Sequence, residues 1–404
     1  MTRRGNDREM LIHRCPLLDT VDRRAFVRTT TLATMPIALG LGRLLADPPA
    51  KNNDEIALIP RQKDPLNLEF PFRSLGSFLT PNKLHFVRNH FAEPELTSRT
   101  WRLEVVGAVK QRLNLTLDDI TKMAGRTQPV TLECAGNGRA YLDPKTKGVQ
   151  WELGAVSTAE WTGVPLSAVL EQAGLRSGAV DVVLEGADAG EPSSEPKPIG
   201  KIHFARGLPL DKAMKPEVLL AHRMNNEVLP RSHGYPLRAI IAGWYGMASV
   251  KWLKRIVVTD RPFRGYDQTT DYAIWERRDG LATLTPITEM QVKTSIARPA
   301  PSEKLSAGKS YRIHGAAWAG ESDVSKVEIS TDGGGTWKAA RFLDRAVPFC
   351  WRRWEYHWEE PAAGKHRLLA RATDQYGRVQ PSKRDADRRN YMIGHIVPLE
   401  VLVE

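Results

Sequence analysis

The sequence predicts an α+β domain over residues 67–285, followed over residues 286–404 by an all-β sandwich of the immunoglobulin-like kind. Two observations favour this division. In the first part, short β-type runs alternate with helical stretches but form no regular βαβ repeat. In the second part, seven β-type runs lie about 8–20 residues apart and helical stretches are lacking, a spacing typical of a sandwich. A chain of 404 residues has room for two or three domains at roughly 150 residues each.

The elements of the first part are separated by turns rich in Gly and Pro. Its β-type runs are Trp101–Val106, Val180–Glu185, Leu237–Ile241 and Ile256–Thr259. Its helical stretches are Leu117–Met123 and Leu166–Ala173. In the second part the β-type runs are Met290–Ile296, Ser310–Trp318, Val324–Thr331, Thr336–Phe342, Cys350–Trp358, Lys365–Thr373 and Pro398–Val403. The glycine-rich turn 332–335 separates two of them.

One run of the second part has a marked alternation. Trp354, Tyr356 and Trp358 alternate with Glu355 and His357. Side chains of a strand point to opposite faces in turn. The run therefore predicts a strand with one buried aromatic face and one solvent face.

The N-terminus resembles a signal for export. Residues 22–28 (DRRAFVR) resemble the twin-arginine motif, and the apolar stretch 29–42 follows. Fourteen residues are too few to cross a bilayer core of about 30 Å as a helix, but they suit a signal peptide. We expect residues 1–46 to be the signal, residues 47–66 a linker or arm, and the mature protein to be periplasmic without a membrane span. An amphipathic surface helix is the alternative for this stretch.

Charge and cysteine usage narrow the function classes. The chain carries a formal net charge of +11, but no basic run interleaved with aromatics is present, so nucleic acid is not an expected partner. The three cysteines are Cys15, Cys134 and Cys350. They form no C-x-x-C-H motif for haem attachment, and no haem is expected.

The segment 132–139 (LECAGNGR) is the strongest candidate for a functional site. A cysteine after a β-type run, followed by two glycines, places a thiol where a bulky group can approach the backbone. The neighbouring Arg139 would favour the thiolate of Cys134, the form that ligates metals. A buried structural thiol is the commoner role for such a cysteine.

This segment and five others, in order, resemble motifs of the sulfite oxidase family. CAGNGR is similar to the family's molybdenum-cysteine motif, usually CAGNRR. The other matching segments are 86–90 (FVRNH), 151–159 (WELGAVSTA), 233–238 (HGYPLR), 246–253 (GMASVKWL) and 330–337 (STDGGGTW). The matches cover nearly everything from about residue 78 to the C-terminus.

The resemblance implies a sulfite-oxidase-type molybdopterin-binding domain, a homodimerising sandwich and a molybdenum cofactor with Cys134 as the metal ligand. The implied cofactor-binding residues are Phe86, Val87, Arg88, Asn89, His90, Cys134, Asp188, His233, Arg238, Ser249, Val250 and Lys251. The implied catalytic residues are Arg88, Cys134, Arg139 and Tyr272. For the cations the plain alternative is a solvated surface charge or a carboxylate partner, and for Tyr272 a place on the rim of the site.

The implied reaction is oxidation of sulfite to sulfate, with electrons passed to a separate acceptor such as a c-type cytochrome. Two departures from the family pattern weaken the substrate assignment: Gly138 replaces one arginine of the motif, and segment 389–394 (RNYMIG) lacks an arginine at the matching place. The sulfane dehydrogenase subunit of a thiosulfate-oxidising complex is therefore an alternative, as is a reductase of sulfoxides or nitrate. A non-enzymatic exported binding protein, with Cys134 as a core thiol, is the alternative outside enzymes.

Overall fold

Strands dominate the computed structural model, which describes residues 56–404. The predicted signal peptide and the first nine residues of the predicted linker lie outside the described residues. The linker's remaining residues include a short strand, Ile59–Gln62, which pairs with Asn67–Glu69. No helix among the described residues is long and apolar enough to span a membrane.

The first part of the described chain contains fifteen strands. In chain order they are β1 (Ile59–Gln62), β2 (Asn67–Glu69), β3 (Val87–Arg88), β4 (Leu103–Gly107), β5 (Leu113–Leu115), β6 (Arg126–Glu133), β7 (Val156–Pro165), β8 (Asp181–Gly190), β9 (Ile202–Pro209), β10 (Val218–Met224), β11 (Glu227–Val228), β12 (Arg238–Ile241), β13 (Leu253–Thr259), β14 (Ala273–Arg278) and β15 (Leu281–Pro286). All four predicted β-type runs are confirmed, with ends shifted by a few residues.

The helices of this part are short: α1 (Leu117–Lys122), α2 (Leu166–Ala173) and α3 (Leu210–Ala213). The α1 helix begins with a capping box, in which Thr116 and Asp119 each accept the other's backbone N–H. The α2 helix has the predicted bounds. It buries Leu166, Val169, Leu170 and Ala173, which share one helical face.

The first part contains two five-stranded sheets. One has the order β11-β10-β7-β6, with β12 also paired to β10. The other has the order β5-β4-β13-β8-β9, in which β13 is parallel to β4 and antiparallel to β8. The strand β6 ends at Glu133, so Cys134 begins the loop at the end of a buried strand.

The second part is an all-β sandwich, as predicted. Its sheets have the orders β16-β18-β22-β21 and β17-β24-β23-β19-β20. The strands are β16 (Lys293–Arg298), β17 (Lys304–Leu305), β18 (Tyr311–Trp318), β19 (Val324–Ser330), β20 (Lys338–Ala339), β21 (Arg341–Phe342), β22 (Arg352–Trp358), β23 (Gly364–Asp374) and β24 (Leu399–Val403). The predicted run 336–342 is divided between β20 and β21.

The alternation predicted for β22 is only partly right. Trp354 and Trp358 are buried in the sandwich, as expected. Glu355 was assigned to the solvent face but is 4% exposed. Its carboxylate accepts hydrogen bonds from Arg312 (2.6 Å) and Arg341. The two guanidinium groups compensate the buried charge, which the residue pattern of one strand could not reveal.

The two parts share a hydrophobic core. Trp318 and Trp351, both fully buried, belong to the same cluster as the core of the first part. Trp351 donates hydrogen bonds from its backbone N–H to Thr131 Oγ1 (2.7 Å) and from its indole to the Phe78 carbonyl (2.8 Å). The sandwich therefore packs directly behind β6, the strand that leads to Cys134.

Candidate active site

A cavity of about 620 Å³, part of it open to solvent, lies where the cysteine loop meets strands β8 and β9 and the segments after β2 and β12. The lining residues are His85, Phe86, Arg88, His90, Cys134, Asp188, Phe204, His233, Arg238, Gly246, Met247, Ser249, Val250, Lys251, Trp252 and Tyr272. The structure thus brings together most of the predicted site residues, from six separate stretches of chain. Their individual roles stay predictions.

The thiol of Cys134 lies at one end of this cavity and is 7% exposed. The backbone around it is held at two points: its N–H donates to Ala155 O (2.9 Å), and its carbonyl accepts from Asn137 N–H (2.8 Å). The loop then turns through Gly138, whose φ of +96° lies in the left-handed region that favours glycine. The residue that departs from the family pattern therefore occupies a turn that suits it.

Arg139 lies outside the lining of this cavity. Its guanidinium donates to the carbonyls of Asn390 (3.0 Å) and Val149 (2.8 Å) and lies 5.4 Å from the ring of Tyr391. A Cβ on Gly136 would come within 2.3 Å of this guanidinium, so that glycine makes room for it. The contacts show Arg139 tying the cysteine loop to the C-terminal segment, and a direct role on substrate stays a prediction.

Arg238 is a buried cation at the opposite side of the site. It is 5% exposed, and its guanidinium donates to the carbonyls of His233 (2.9 Å) and Ser249 (3.1 Å). Within residues 56–404 no carboxylate lies at ion-pair distance from it. Burial lowers the pKa of Arg238 to about 9. A cation held by neutral carbonyls in a cavity lacks the negative charge that would compensate it.

Lys251 adds a second cation beside Arg238. Its ammonium donates to Ser232 O (2.8 Å) and to Asn89 Oδ1, and lies 4.2 Å from the ring of Trp252. Burial lowers the pKa of Lys251, and Arg238 lowers it further. Asn89 itself is buried outside the cavity lining but contacts two lining residues: its side-chain oxygen accepts this bond from Lys251, and its backbone carbonyl accepts one from Arg88. Val87, also buried outside the lining, pairs with Leu68 in the small sheet of β1–β3.

Asp188 is the acidic residue of the lining, and it is 4% exposed. Burial raises the pKa of its carboxyl group, while Lys251 and Arg88 oppose that rise. One carboxyl group against the cations Arg88, Arg238 and Lys251 leaves the cavity positive. The lining is therefore suited to an anion.

Two buried histidines complete this side. The rings of His85 and His233 lie 5.0 Å apart. Burial lowers the pKa of His85 to about 3 and that of His233 well below its usual value, so both are neutral at pH 7. Among the described residues, Nε2 of His85 has no hydrogen-bond partner. A buried polar atom without a partner usually marks a missing ligand or water.

Arg88, His90 and Tyr272 form the end of the site that includes Cys134. The Tyr272 hydroxyl lies 2.6 Å from Nε2 of His90 and 3.4 Å from Nη2 of Arg88. Burial raises the pKa of Tyr272, so the phenol stays protonated. Burial tends to lower the pKa of Arg88, but Tyr272, Cys134 and Asp271 together raise it. Within the described residues Arg88 has no carboxylate at ion-pair distance, so its charge is available at this end.

Several lining residues were missed by the sequence analysis, among them His85, Phe204 and Trp252. His85 directly precedes the recognised segment 86–90, and Trp252 directly follows Lys251 within the recognised segment 246–253. Phe204 stacks on His90 with ring centroids 3.9 Å apart. No sequence signal identified Phe204, because it lies on a strand outside the matching segments.

The cavity fits a cofactor that carries both a phosphate and a thiolate-binding metal. The uncompensated charge of Arg238 suits the phosphate. Nδ1 of His85 lies 3.1 Å from the Phe86 carbonyl, so the partnerless Nε2 of this neutral ring is left to accept a hydrogen bond from another part of the ligand. The thiol of Cys134 suits a soft metal. These features occur in one cavity lined from several segments, as a large elongated cofactor requires.

Comparison with known families gives two adjacent matches. Residues 90–267 match the oxidoreductase molybdopterin binding domain, and residues 285–392 match the Mo-co oxidoreductase dimerisation domain. The mitochondrial sulfite oxidase of Rattus norvegicus is 37% identical over 349 residues, which are 80% of this chain and 61% of that protein. The sulfite oxidase of Gallus gallus is 34% identical over 340 residues, covering 78% of this chain and 71% of that protein.

Two further matches widen the range of chemistry. An NADH nitrate reductase of Solanum lycopersicum is 32% identical over 359 residues, covering 80% of this chain but 38% of that protein. Among solved structures, the sulfane dehydrogenase SoxCD from Paracoccus pantotrophus matches with a TM-score of 0.73 at 27% identity, covering 92% of each chain. The present chain spans about three fifths of the length of the mammalian relatives.

Proposed function

The chain belongs to the sulfite oxidase family of molybdopterin-dependent oxidoreductases, and on that premise we propose that it oxidises sulfite to sulfate at the cavity around Cys134. The observation that carries the proposal is the presence, in this one cavity, of a buried thiol and three cationic side chains with a single carboxyl group. The overall reaction converts sulfite and water into sulfate, two electrons and two protons. When bound, the molybdenum cofactor supplies the two-electron redox centre.

The residues that would hold the cofactor divide by chemistry. Arg238 and Lys251 supply donors for its phosphate end. The neutral His85 and His233 direct their ring N–H groups at backbone carbonyls, so the other nitrogen of each ring can accept a hydrogen bond from the ligand. Cys134 supplies the thiolate that ligates the metal. The rings of Phe86, Phe204 and Trp252 make part of the lining apolar, which strengthens electrostatic contacts beside them.

The residues proposed to bind substrate are those at the cysteine end. Sulfite is a small oxyanion, and the guanidinium of Arg88 can hold two of its oxygens in parallel hydrogen bonds. Tyr272 is a protonated phenol, so it can donate a hydrogen bond to the same oxyanion. His90, at 2.6 Å from the phenol oxygen, fixes the direction of that donor. Arg139 would add positive charge from behind the loop.

Sulfane sulfur oxidation is the second candidate. It is supported by the extensive structural match to the sulfane dehydrogenase, over 92% of both chains. The position of Arg389 also supports it. Arg389 is the only arginine of segment 389–394, and its side chain does not replace the substrate-binding arginine that the family has in this segment. Arg389 donates instead to the backbone carbonyls of Thr270 and Ala273, on either side of Tyr272. Membership of an enzyme family counts against the non-enzymatic alternative.

The partners and the location are part of the same proposal. A homodimer formed through the sandwich is supported by the match of residues 285–392 to a dimerisation domain. Transfer of electrons to a separate carrier, such as a c-type cytochrome, is supported by the net charge of +7 on residues 47–404, which attracts an acidic partner. The periplasm and the twin-arginine route are supported by the motif at residues 22–28 alone.

The test is metal analysis together with sulfite-dependent reduction of ferricyanide and cytochrome c, on wild type, Cys134→Ser and Cys350→Ser. Even partners of metal ligands cost about 10–100-fold in affinity or activity when lost, so Cys134→Ser should lose sulfite turnover by at least about 100-fold. Cys350, which lies outside the cavity, is the matched control and should keep both metal and turnover. Molybdenum without sulfite turnover would favour the sulfane candidate. No molybdenum in protein from a host that makes the cofactor would refute the proposal.

A further inference from the structure

A buried ion pair lies directly behind the cysteine loop. Glu133, at the end of β6, is 1% exposed, and Lys293, at the start of β16 in the sandwich, is 3% exposed. The ammonium of Lys293 lies 2.9 Å from Oε1 of Glu133. Lysine and glutamate are rarely buried so completely unless they are paired, so each charge here depends on the other.

The same ammonium also holds the far side of the loop. Lys293 Nζ donates to the backbone carbonyl of Asn137 at 3.1 Å. It therefore joins residues 133 and 137, one on each side of Cys134. The side chain of Asn137 closes the ring, because its Nδ2 donates to Glu133 Oε1 (3.0 Å) and its Oδ1 accepts from Ala155 N–H (3.1 Å).

A second group from the sandwich fixes the other oxygen of the carboxylate. The indole of Trp318 donates to Glu133 Oε2 at 2.9 Å. Lys293 and Trp318 are direct cross-strand partners in the pairing of β16 with β18. The register of these two strands thus aims an ammonium and an indole N–H at one carboxylate. The family motif stops at the cysteine loop and contains neither residue.

We propose that Lys293 is a positioning residue for the metal-ligating loop: it clamps Glu133 to Asn137 so that the Cys134 thiol faces the cavity before any cofactor binds. The proposal rests on Cys134 as the metal ligand, which is part of the proposed function, but not on the identity of the substrate. It gives the sandwich a role inside each subunit, in the shape of the active site. Without the clamp, the loop between β6 and β7 would open more often and expose the thiol.

The test uses full-length protein from a host that cannot make the cofactor, and compares Lys293→Met with Arg378→Met. Arg378 is the matched control: its guanidinium pairs with the buried Asp374 at 2.5 Å, and its other side-chain partners, Ser322 and Glu289, also lie outside the cysteine loop. Each substitution therefore leaves a buried carboxylate without its cation, Glu133 in one case and Asp374 in the other. The readout is the rate of alkylation by iodoacetamide, assigned to Cys134 by peptide mapping. We expect a rise of about tenfold or more in Lys293→Met and no rise in Arg378→Met, because local opening limits access to a buried thiol.

The double variant Glu133→Gln with Lys293→Met separates positioning from simple loss of stability. It removes both charges, so its melting temperature should return towards the wild-type value. Alkylation of Cys134 should nevertheless stay fast, since the ammonium that joins residue 133 to the Asn137 carbonyl is absent. A Lys293→Met rate equal to that of Arg378→Met, or wild-type alkylation in the double variant, would overturn the proposal. A wrong substrate assignment would leave these rates unchanged, because no substrate or cofactor is present.

Discussion

Arg238 in the cavity and Lys293 behind the cysteine loop are both buried cations, yet their surroundings differ. Lys293 has a carboxylate at 2.9 Å, and that carboxylate is further bound by an indole and an amide. Arg238 has backbone carbonyls and, among the described residues, no carboxylate at ion-pair distance. The difference distinguishes a charge that the protein compensates itself from one that a ligand must compensate.

The same contrast extends to uncharged groups. Around Glu133, both carboxylate oxygens and the side-chain amide of Asn137 have partners. In the cavity, Nε2 of His85 has none within the described chain. Burying a polar group without a partner costs free energy, so the cofactor-free cavity is the less stable of the two regions. This difference predicts opposite responses to substitution.

The largest effect is expected at Arg238. Arg238→Met should lower the molybdenum content of purified protein by roughly 100-fold, since a charge-assisted hydrogen bond contributes about 1.5–3 kcal/mol and Arg238 can make two. The melting temperature of the cofactor-free variant should stay equal to that of wild type or rise, because an uncompensated buried charge is removed. Metal analysis and a thermal melt check the two halves. A large fall in the melting temperature of the cofactor-free variant would mean that Arg238 is a structural cation like Lys293.

An intermediate effect is expected at Trp318, in the compensated region. Trp318→Phe removes the indole N–H that binds Glu133 and should cost about 1.5–3 kcal/mol in the free energy of unfolding beyond the loss of volume. Trp151→Phe is the control: Trp151 is also fully buried, but its indole N–H has no partner among the described residues. Urea unfolding of both variants measures the difference. Equal losses would show that the bond to Glu133 adds nothing to stability.

The smallest effect is a change in the pH dependence of stability. The pKa of His85 is lowered by burial to about 3 in the folded state, against about 6.5 when unfolded. Below pH 6.5, His85 binds a proton in the unfolded chain but not in the folded protein. Its contribution to stability is therefore fully present above that pH, and the free energy of unfolding falls as pH decreases towards 3. Between pH 7 and 5.5, His85→Phe in cofactor-free protein should lose about 1 kcal/mol less than wild type. Urea titrations at the two pH values measure this, and parallel losses would contradict it.

Much of the cavity could be predicted because its residues lie in short segments with a recognisable order. Cys134, His233, Arg238 and Lys251 are separated by long stretches in the sequence but converge as expected. The sandwich with most of its strands, and four of the fifteen strands of the first part, followed from the spacing of β-type runs and turn residues. Each of these features depends on residues close together in the sequence, so a short segment is enough to predict it.

What could not be predicted depends on pairing between distant residues. Lys293 lies in a β-type run, where a lysine is ordinarily exposed, and its partner Glu133 is 160 residues away along the chain. Glu355 was misassigned for the same reason, because Arg312 and Arg341 come from other strands. The hydrogen bonds from the Arg139 guanidinium to the carbonyls of Val149 and Asn390 were also not foreseen. A single sequence does not reveal these contacts between distant residues.

The clamp formed by Lys293 also bears on how such a protein can be recombined. A boundary near residue 285 suggests two modules that could be inherited or exchanged separately. The ammonium on β16 makes the cysteine loop and the sandwich a single unit of exchange. A hybrid that joined this loop to a sandwich with an apolar side chain at that place would bury the charge of Glu133 alone. Grafting the loop therefore means grafting its lysine as well.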